Sequence, residues 1–298
     1  MKILTTFFLI VIFILESLII PKGAFSQNVL DGIYQPEHAP VRKPVPYPYL
    51  READVMWSKR LIRMLDLRQK LNLPLYYPKV QFGNRYSLTD LLIWGIENEG
   101  ITVYDPDEGG LNDPFSVPIS LKQIDENLGA TIDTQMVEDP MTGEVTMKIT
   151  KNERKTYEVE RYLMREIWYF EKQRSMLQVR ITGLCPIRLY EKEVEGGDFE
   201  EEAGGEKDRT MKLVFWAYYP SYRNIFANHI VFNTMNDAEY RTFEDVFSMR
   251  RFSSRIYRES NVYENRILET YVKGWDVLLE GEQILEWIRN FEHDLWEY

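Results

Sequence analysis

The residue types that most often carry catalysis or bind metals are sparse in this sequence of 298 residues. It contains three histidines and one cysteine, and none of His38, His229 and His293 has a second histidine or a cysteine at a metal-ligand spacing. His293 stands between Glu292 and Asp294, but neighbouring residues on a helix point in different directions, so these three side chains do not converge. The sequence therefore predicts neither a metal site nor a cofactor site.

Nucleophilic and phosphate-binding motifs are also missing from the sequence. Cys185 precedes Pro186 inside an apolar segment, which predicts a buried thiol. The sequence contains no Gly-x-Ser-x-Gly elbow, phosphate loop or dinucleotide fingerprint, so we predict no catalytic residues and no enzyme activity. The 47 acidic residues still supply many possible carboxylate pairs, and an exported carbohydrate-binding or glycoside-hydrolysing protein stays open as the alternative.

The composition is that of an ordinary folded protein. Hydrophobic residues make up 44% of the chain and charged residues 28%, which is enough apolar material to offset the conformational entropy lost on folding. One cysteine cannot close an intramolecular disulfide. The 36 basic and 47 acidic residues give a net charge of −11, which argues against a nucleic-acid partner because the phosphate backbone repels acidic proteins.

The first 26 residues have the pattern of a signal peptide. Lys2 precedes a nearly pure apolar run over residues 3–15, and the Ala-Phe-Ser sequence at 24–26 places small residues at a cleavage site. The alternative is a membrane anchor over residues 3–20, and no later segment is apolar enough to span a bilayer. Export without disulfides is typical of a periplasmic protein, which is the location that we predict.

Residues 27–49 are predicted to form an extended arm. Five prolines fall between Pro36 and Pro48, and proline disfavours both helices and inner strands. We expect the arm to pack little against its own domain and to order on a partner, with Tyr47 and Tyr49 as candidate partner-binding residues.

Residues 50–298 are predicted to form one α+β domain, with a mainly antiparallel sheet in the middle of the chain and helices from the N- and C-terminal thirds packed on it. Helical spacing and caps predict helices over 54–73, 87–100, 120–129, 242–250 and 260–271. Alternating apolar residues predict hairpins over 131–149 and 162–184, and further strands at 187–190 and 211–219.

We make separate predictions for two segments in the later part of the chain. Residues 193–208 contain eight acidic residues and four glycines, which predicts a mobile loop whose spacing matches no calcium-binding loop. A final helix from about Gly281 carries a stripe of apolar residues that either closes the domain's own core or, with Trp296 and Tyr298 as candidate partner-binding residues, meets a neighbouring subunit. The stripe comprises Ile284, Ile288, Phe291 and Leu295.

Several strings of residues along the chain are specific to one known family. The strings are Trp-Tyr-Phe-Glu-Lys-Gln-Arg-Ser at 168–175, Val-Arg-Ile-Thr-Gly at 179–183, Val-Phe-Asn at 231–233, Arg-Thr-Phe-Glu-Asp-Val-Phe at 241–247 and Phe-Glu-His-Asp-Leu-Trp-Glu-Tyr at 291–298. They resemble the gliding motility protein family GldN, called PorN in non-gliding relatives. The resemblance covers nearly all of the chain after the signal peptide, and Glu171 stands where the family usually has Asp.

The resemblance implies a component of the type IX secretion system of Bacteroidetes. GldN-like proteins are periplasmic and form a ring with the lipoprotein GldK (PorK) beneath the outer membrane. That ring connects to the inner-membrane motor pair GldL and GldM (PorM in non-gliding relatives). The expected partners are therefore a GldK-like lipoprotein, a GldM-like motor component and further copies of this chain.

Overall fold

The computed structural model describes residues 42–81, 85–108, 110–138, 145–191, 209–236, 238–262 and 267–295, with the backbone alone at 132–138 and 145–151. Several predictions fall on residues outside this part of the chain. These are the signal peptide at 1–26, the arm before residue 42, His38, the acidic loop at 193–208, Trp296 and Tyr298.

Three long strands form the centre of the fold. They are β1 (Val55–Asp66), β5 (Val159–Glu171) and β6 (Met176–Glu191). β1 pairs with β5 from Val55↔Glu171 to Asp66↔Arg161, and β5 pairs with β6 across a tight turn in which Ser175 has a φ of 50°. Both pairings are antiparallel, so the chain runs back and forth through the middle of one sheet.

The described chain has shorter strands as well. They are β2 (Val103–Tyr104), β3 (Thr131–Glu138), β4 (Val145–Asn152), β7 (Arg209–Leu213), β8 (Trp216–Tyr218), β9 (Ile230–Val231), β10 (Arg241–Thr242) and β11 (Arg255–Glu259). Four of them complete the central sheet, whose order is β11-β1-β5-β6-β8-β2, with β7 paired to β6. Two separate antiparallel pairs, β3 with β4 and β9 with β10, lie outside it.

The helices come from both ends of the described chain, which confirms the predicted α+β class with a mainly antiparallel sheet. They are α1 (Leu73–Tyr76), α2 (Leu88–Glu99), α3 (Leu121–Asn127), α4 (Tyr219–Asn228), α5 (Phe243–Ser248), α6 (Leu268–Tyr271) and α7 (Asp276–Asp294). Single 3-10 turns lie at Glu52–Asp54 and Thr156–Glu158.

Local capping chemistry sets the helix boundaries where the sequence predicted them. The Ser87 hydroxyl accepts a hydrogen bond from the Asp90 amide at the start of α2, and α2 ends at Gly100 in the left-handed conformation. Reciprocal capping boxes open α3 at Ser120 and α5 at Thr242. These boundaries depend on residues within one turn, so they are readable from sequence.

The prediction of a helix over 54–73 is wrong, because most of this segment is strand β1. Trp57, Leu61 and Leu65 are four residues apart, and an even spacing also places them on one face of a strand. The intervening Ile62 and Met64 are buried on the other face. A strand buried on both faces reads as a continuous apolar run, and such a run does not distinguish strand from helix.

The predicted helix over 260–271 is also largely wrong. Strand β11 occupies the residues before it, and residues 260–262 are not helical. The helix α6 begins only at Leu268, and residues 263–266 lie outside the described chain. β11 forms because it pairs with β1 at the sheet edge, a long-range contact that local caps do not reveal.

Both faces of the central sheet are covered by apolar side chains. On one face, α2, α4 and α5 pack over Leu65, Tyr162 and Met164, and α7 packs separately over Leu61 and Ile256. The loop between β2 and α3 packs on the other face and contributes Leu111 and Phe115. The buried cluster on that second face comprises Ile62, Met64, Leu163, Cys185, Ile187 and Trp216.

A polar group fastens the loop after β1 to the loop before β11. Asn72 is fully buried, and its side-chain amide donates to the carbonyls of Asp66 and Ser253, each at 2.8 Å. Its side-chain oxygen accepts from the Ser253 amide at 2.9 Å. All three bonds involve backbone groups that would otherwise be unpaired away from water.

Replacing Asn72 with alanine is therefore expected to lower the free energy of unfolding by about 2–4 kcal/mol, because it leaves buried backbone groups unsatisfied. Asn98→Ala is the matched control, since the Asn98 amide makes one exposed hydrogen bond to the Trp94 carbonyl. The control should change stability by no more than about 0.5 kcal/mol. Chemical denaturation of both variants measures this, and equal stabilities would contradict the role given to Asn72.

Candidate interaction surfaces

The end of the predicted arm lies against the domain through one tyrosine. The Tyr47 ring contacts two guanidinium groups, with the Arg223 group 4.0 Å and the Arg180 group 5.0 Å from the ring centre. The same arginines donate to arm carbonyls, Arg223 to Val45 at 2.6 Å and Arg180 to Pro48 at 2.9 Å. Cation–π contact and hydrogen bonding thus act on the same short segment.

A buried carboxylate holds Arg223 in the position that receives the arm. Arg223 donates through Nε and Nη2 to Glu244 Oε1 at 2.8 and 2.6 Å, and the Tyr219 hydroxyl donates to Glu244 Oε2 at 2.7 Å. Burial raises the pKa of Tyr219, and the charge of Glu244 raises it further. The hydroxyl therefore stays protonated as a donor, and the network fixes the guanidinium that contacts the arm.

The contact extends to the first described residue of the arm. Arg42 forms a two-bond ion pair with Asp245, at 2.7 and 3.3 Å. The expectation that the arm packs little against its own domain is corrected only for these specific contacts, because six of the eight residues at 42–49 are exposed. Tyr47 is 38% exposed, whereas Tyr49 is 86% exposed and has its side chain in solvent.

Of the two described candidates in the arm, Tyr47 thus contacts the domain and Tyr49 is exposed, and partner binding by Tyr49 stays a prediction. The sequence could not distinguish them, because the arginines that receive Tyr47 lie more than a hundred residues away in the chain. No local pattern around Arg180 or Arg223 marks either residue as an aromatic-binding group.

The outer face of α7 is a second candidate surface. Its inner face is buried through Ile284 and Ile288, which confirms that this part of the predicted stripe closes the domain's own core. The helix begins at Asp276, five residues before the predicted start. Large apolar side chains at the start of the helix point to solvent, and the capping residue Trp275 is 83% exposed. The exposed residues of this patch are Tyr271, Trp275, Leu278 and Leu279.

Farther along α7, an aromatic cluster lies at the border between core and solvent. Trp287 stacks on Phe291 with ring centres 5.7 Å apart, and both contact Trp57 of β1. Lys59 lies 5.0 Å from the Trp287 ring centre. Phe291 therefore belongs to a partly exposed cluster and not to the buried stripe. Trp287 in this cluster is half exposed.

His229 and Cys185 both pack inside the domain. His229 Nδ1 lies 2.8 Å from the Ile225 carbonyl, and its ring packs edge-on against Tyr86 and beside Trp94. Cys185 is fully buried as predicted, and burial raises the pKa of its thiol. Within the described residues, no three His, Cys, Asp or Glu side chains are grouped so that they could hold a metal ion.

Helices in the described part of the chain are all too short or too polar to cross a membrane. What the structure presents is an α+β protein whose prominent exposed features are apolar and aromatic side chains suited to contacts with other proteins. The chain belongs to the family "Gliding motility associated protein GldN", whose model matches residues 50–297. The resemblance seen in the sequence is thereby confirmed, and no curated protein matches the chain.

Membership in this family ties the chain to the gliding motility machinery. The matched region begins at residue 50, directly after the predicted arm. The contacts that dock Tyr47 therefore join a segment outside the family match to residues inside it.

Replacing Tyr47 with alanine is expected to release the arm without unfolding the domain. Loss of two cation–π contacts weakens docking by about 1–2 kcal/mol, which is a five- to thirtyfold change in the docking equilibrium. Tryptic cleavage after Arg42 should accelerate by a similar factor, while the melting temperature stays within a few degrees. Tyr49→Ala is the matched control and should leave cleavage unchanged; equal cleavage rates in both variants would contradict the docking role of Tyr47.

Proposed function

We propose that this chain is a structural, non-enzymatic subunit of the type IX secretion and gliding machinery. In this proposal it resides in the periplasm after removal of residues 1–26, and it forms a ring with a GldK (PorK)-like lipoprotein beneath the outer membrane. The ring couples to the GldL–GldM motor. Family membership supports the assignment of the chain to this machinery. The exposed apolar patch at the start of α7 is the observation that supports an assembly role.

The patch exposes more apolar side chains than the surface of a soluble protein without a binding partner usually does. Single exposed apolar residues are normal on soluble proteins, but a group of them on one surface marks contact with another molecule. Tyr271, Trp275, Leu278 and Leu279 fall within nine consecutive residues, and tryptophan and tyrosine are the residues most enriched at the energetic centres of interfaces. Since Ile284 and Ile288 hold α7 on the sheet, the patch is presented on a fixed element.

The candidate partner-binding residues on either side of the domain are compatible with a ring subunit. Tyr49 projects from the docked arm, and the arm precedes the region shared by the family. Trp296 and Tyr298 follow α7 and stay candidate partner-binding residues. A ring subunit needs at least two separate contact surfaces, one for each neighbour, because head-to-tail association uses different patches on each copy.

The test is capture of partners from detergent-solubilised envelope by the tagged full chain. The double variant Trp275→Ala and Leu279→Ala should reduce recovery of the GldK-like lipoprotein by at least about tenfold, because interface tryptophans often contribute more than 2 kcal/mol. Leu71→Ala is the matched control, because Leu71 is similarly exposed but lies in the loop after β1. Melting of both variants should match the unmodified chain.

Ile288→Ala serves as the variant in which folding fails first. Ile288 is 1% exposed in the α7 cluster, and truncation of a buried isoleucine costs about 2–5 kcal/mol. Lost capture with normal melting therefore identifies an interface effect, and lost capture with lowered melting identifies a folding effect. Full recovery of the lipoprotein by the Trp275 and Leu279 double variant would refute the patch as the contact surface.

A further inference from the structure

Three arginines line one groove on the sheet face opposite the helices. Arg165 of β5 and Arg258 of β11 are the cross-strand partners of Ile62 on either side of β1, so their side chains leave the same face. Arg60 is two residues from Ile62 along β1 and shares that face. Neighbouring strands are about 4.8 Å apart, which puts the backbones of Arg165 and Arg258 roughly 10 Å from each other.

The groove has walls and a defined size. Leu111 and Asn112 from the loop between β2 and α3 form one side, and Ser260 after β11 forms another. The cavity holds about 100 Å³, which is room for a few water molecules or one small oxyanion. Arg258 is only 6% exposed and donates to the side-chain oxygen of Asn112, so one guanidinium is fixed inside the groove.

The positive charge in the groove is poorly balanced by the protein itself. Two other arginines with little exposed side chain have a carboxylate at 2.6 Å, Arg188 with Glu158 and Arg223 with Glu244. The buried Arg63 instead donates to the hydroxyl and carbonyl of Ser254. Within the described residues, no ion pair of 4 Å or less joins a carboxylate to Arg60, Arg165 or Arg258.

The nearby acids leave much of that charge in place. Glu259 lines the groove, but its carboxylate is bound to Lys59 at 2.6 Å. Burial lowers the pKa of Arg165, the charge of Arg60 lowers it further, and Asp113 partly offsets both. Burial and the charge of Arg165 likewise lower the pKa of Arg258. Counting three arginines against Asp113 leaves about two positive charges without a carboxylate partner among the described residues, in a chain whose net charge is −11.

Guanidinium groups recognise planar and tetrahedral oxyanions by paired hydrogen bonds. Two uncompensated charges match a dianion better than a single carboxylate, and a phosphate monoester carries a charge of −1.5 to −2 at neutral pH. We propose that the groove between Arg60, Arg165 and Arg258 binds a phosphate group, either free phosphate or the phosphate monoester headgroup of an envelope lipid. Phe115, 5.5 Å from the Arg165 guanidinium, orients that side chain.

The test is calorimetric titration of the full folded chain with inorganic phosphate. We expect saturable binding that is weakened at least about tenfold, or about 1.4 kcal/mol, in each of Arg60→Gln, Arg165→Gln and Arg258→Gln. Arg289→Gln removes the same charge from the exposed face of α7 and should bind phosphate as the unmodified chain does. Circular dichroism checks folding, and the exposed Arg60 keeps the test valid if the buried Arg258 variant does not fold.

Flotation with vesicles separates the two sources of phosphate. Binding to phosphatidylcholine vesicles that contain phosphatidic acid, and not to phosphatidylcholine alone, identifies a lipid headgroup, whereas binding of inorganic phosphate without vesicle binding identifies a free ligand. The proposal is overturned if the unmodified chain binds neither, or if Arg165→Gln binds as tightly as the unmodified chain. The proposal is also overturned if acetate displaces bound phosphate as well as sulfate does, because the groove would then recognise a carboxylate.

Discussion

The structure depends on the need to cover both faces of three long strands. β1, β5 and β6 carry apolar side chains on both faces, so the sheet is stable only when each face is shielded from water. Helices α2, α4, α5 and α7 shield one face. The loop between β2 and α3 shields part of the other, and the groove with three arginines lies where that loop meets β1, β5 and β11. The position of the groove is thus a consequence of how the second face is covered.

A buried polar seam divides the helical face into two parts. Glu166 of β5 is completely buried, and it accepts hydrogen bonds from Arg250 at 2.8 Å and from the Trp168 indole at 2.9 Å. Arg63 lies on the same face and donates to Ser254. A buried carboxylate without its arginine would be strongly destabilising, so this pair helps to hold the segment after α5 in register with the sheet, together with the contacts of Ser253 and Ser254. Apolar packing of α2, α4 and α5 lies on one side of the seam, and that of α7 on the other.

The sequence predicts the parts of this fold that depend on neighbouring residues. The caps at Ser87, Ser120 and Thr242 and the β5–β6 hairpin follow from patterns within a few residues, and the family follows from short strings along the whole chain. The parts that were missed depend on distant contacts. β1 is read as a helix because its two buried faces produce no alternation, and the docking of Tyr47 depends on Arg180 and Arg223, which sequence order does not connect to it. The groove was missed for the same reason, since its arginines come from three strands that only the sheet brings together.

The division of the helical face has a consequence for how the molecule opens. Helix α7 is anchored by a small cluster around Ile284 and Ile288, and this cluster shares no buried residue with the larger one under α2, α4 and α5. An element with few shared contacts unfolds locally at a lower free energy than the whole domain. Amide hydrogens of α7 are therefore expected to exchange with deuterium well before those of β5. A partner bound on the outer face of α7 would slow that exchange, because it would stabilise the closed form of this helix.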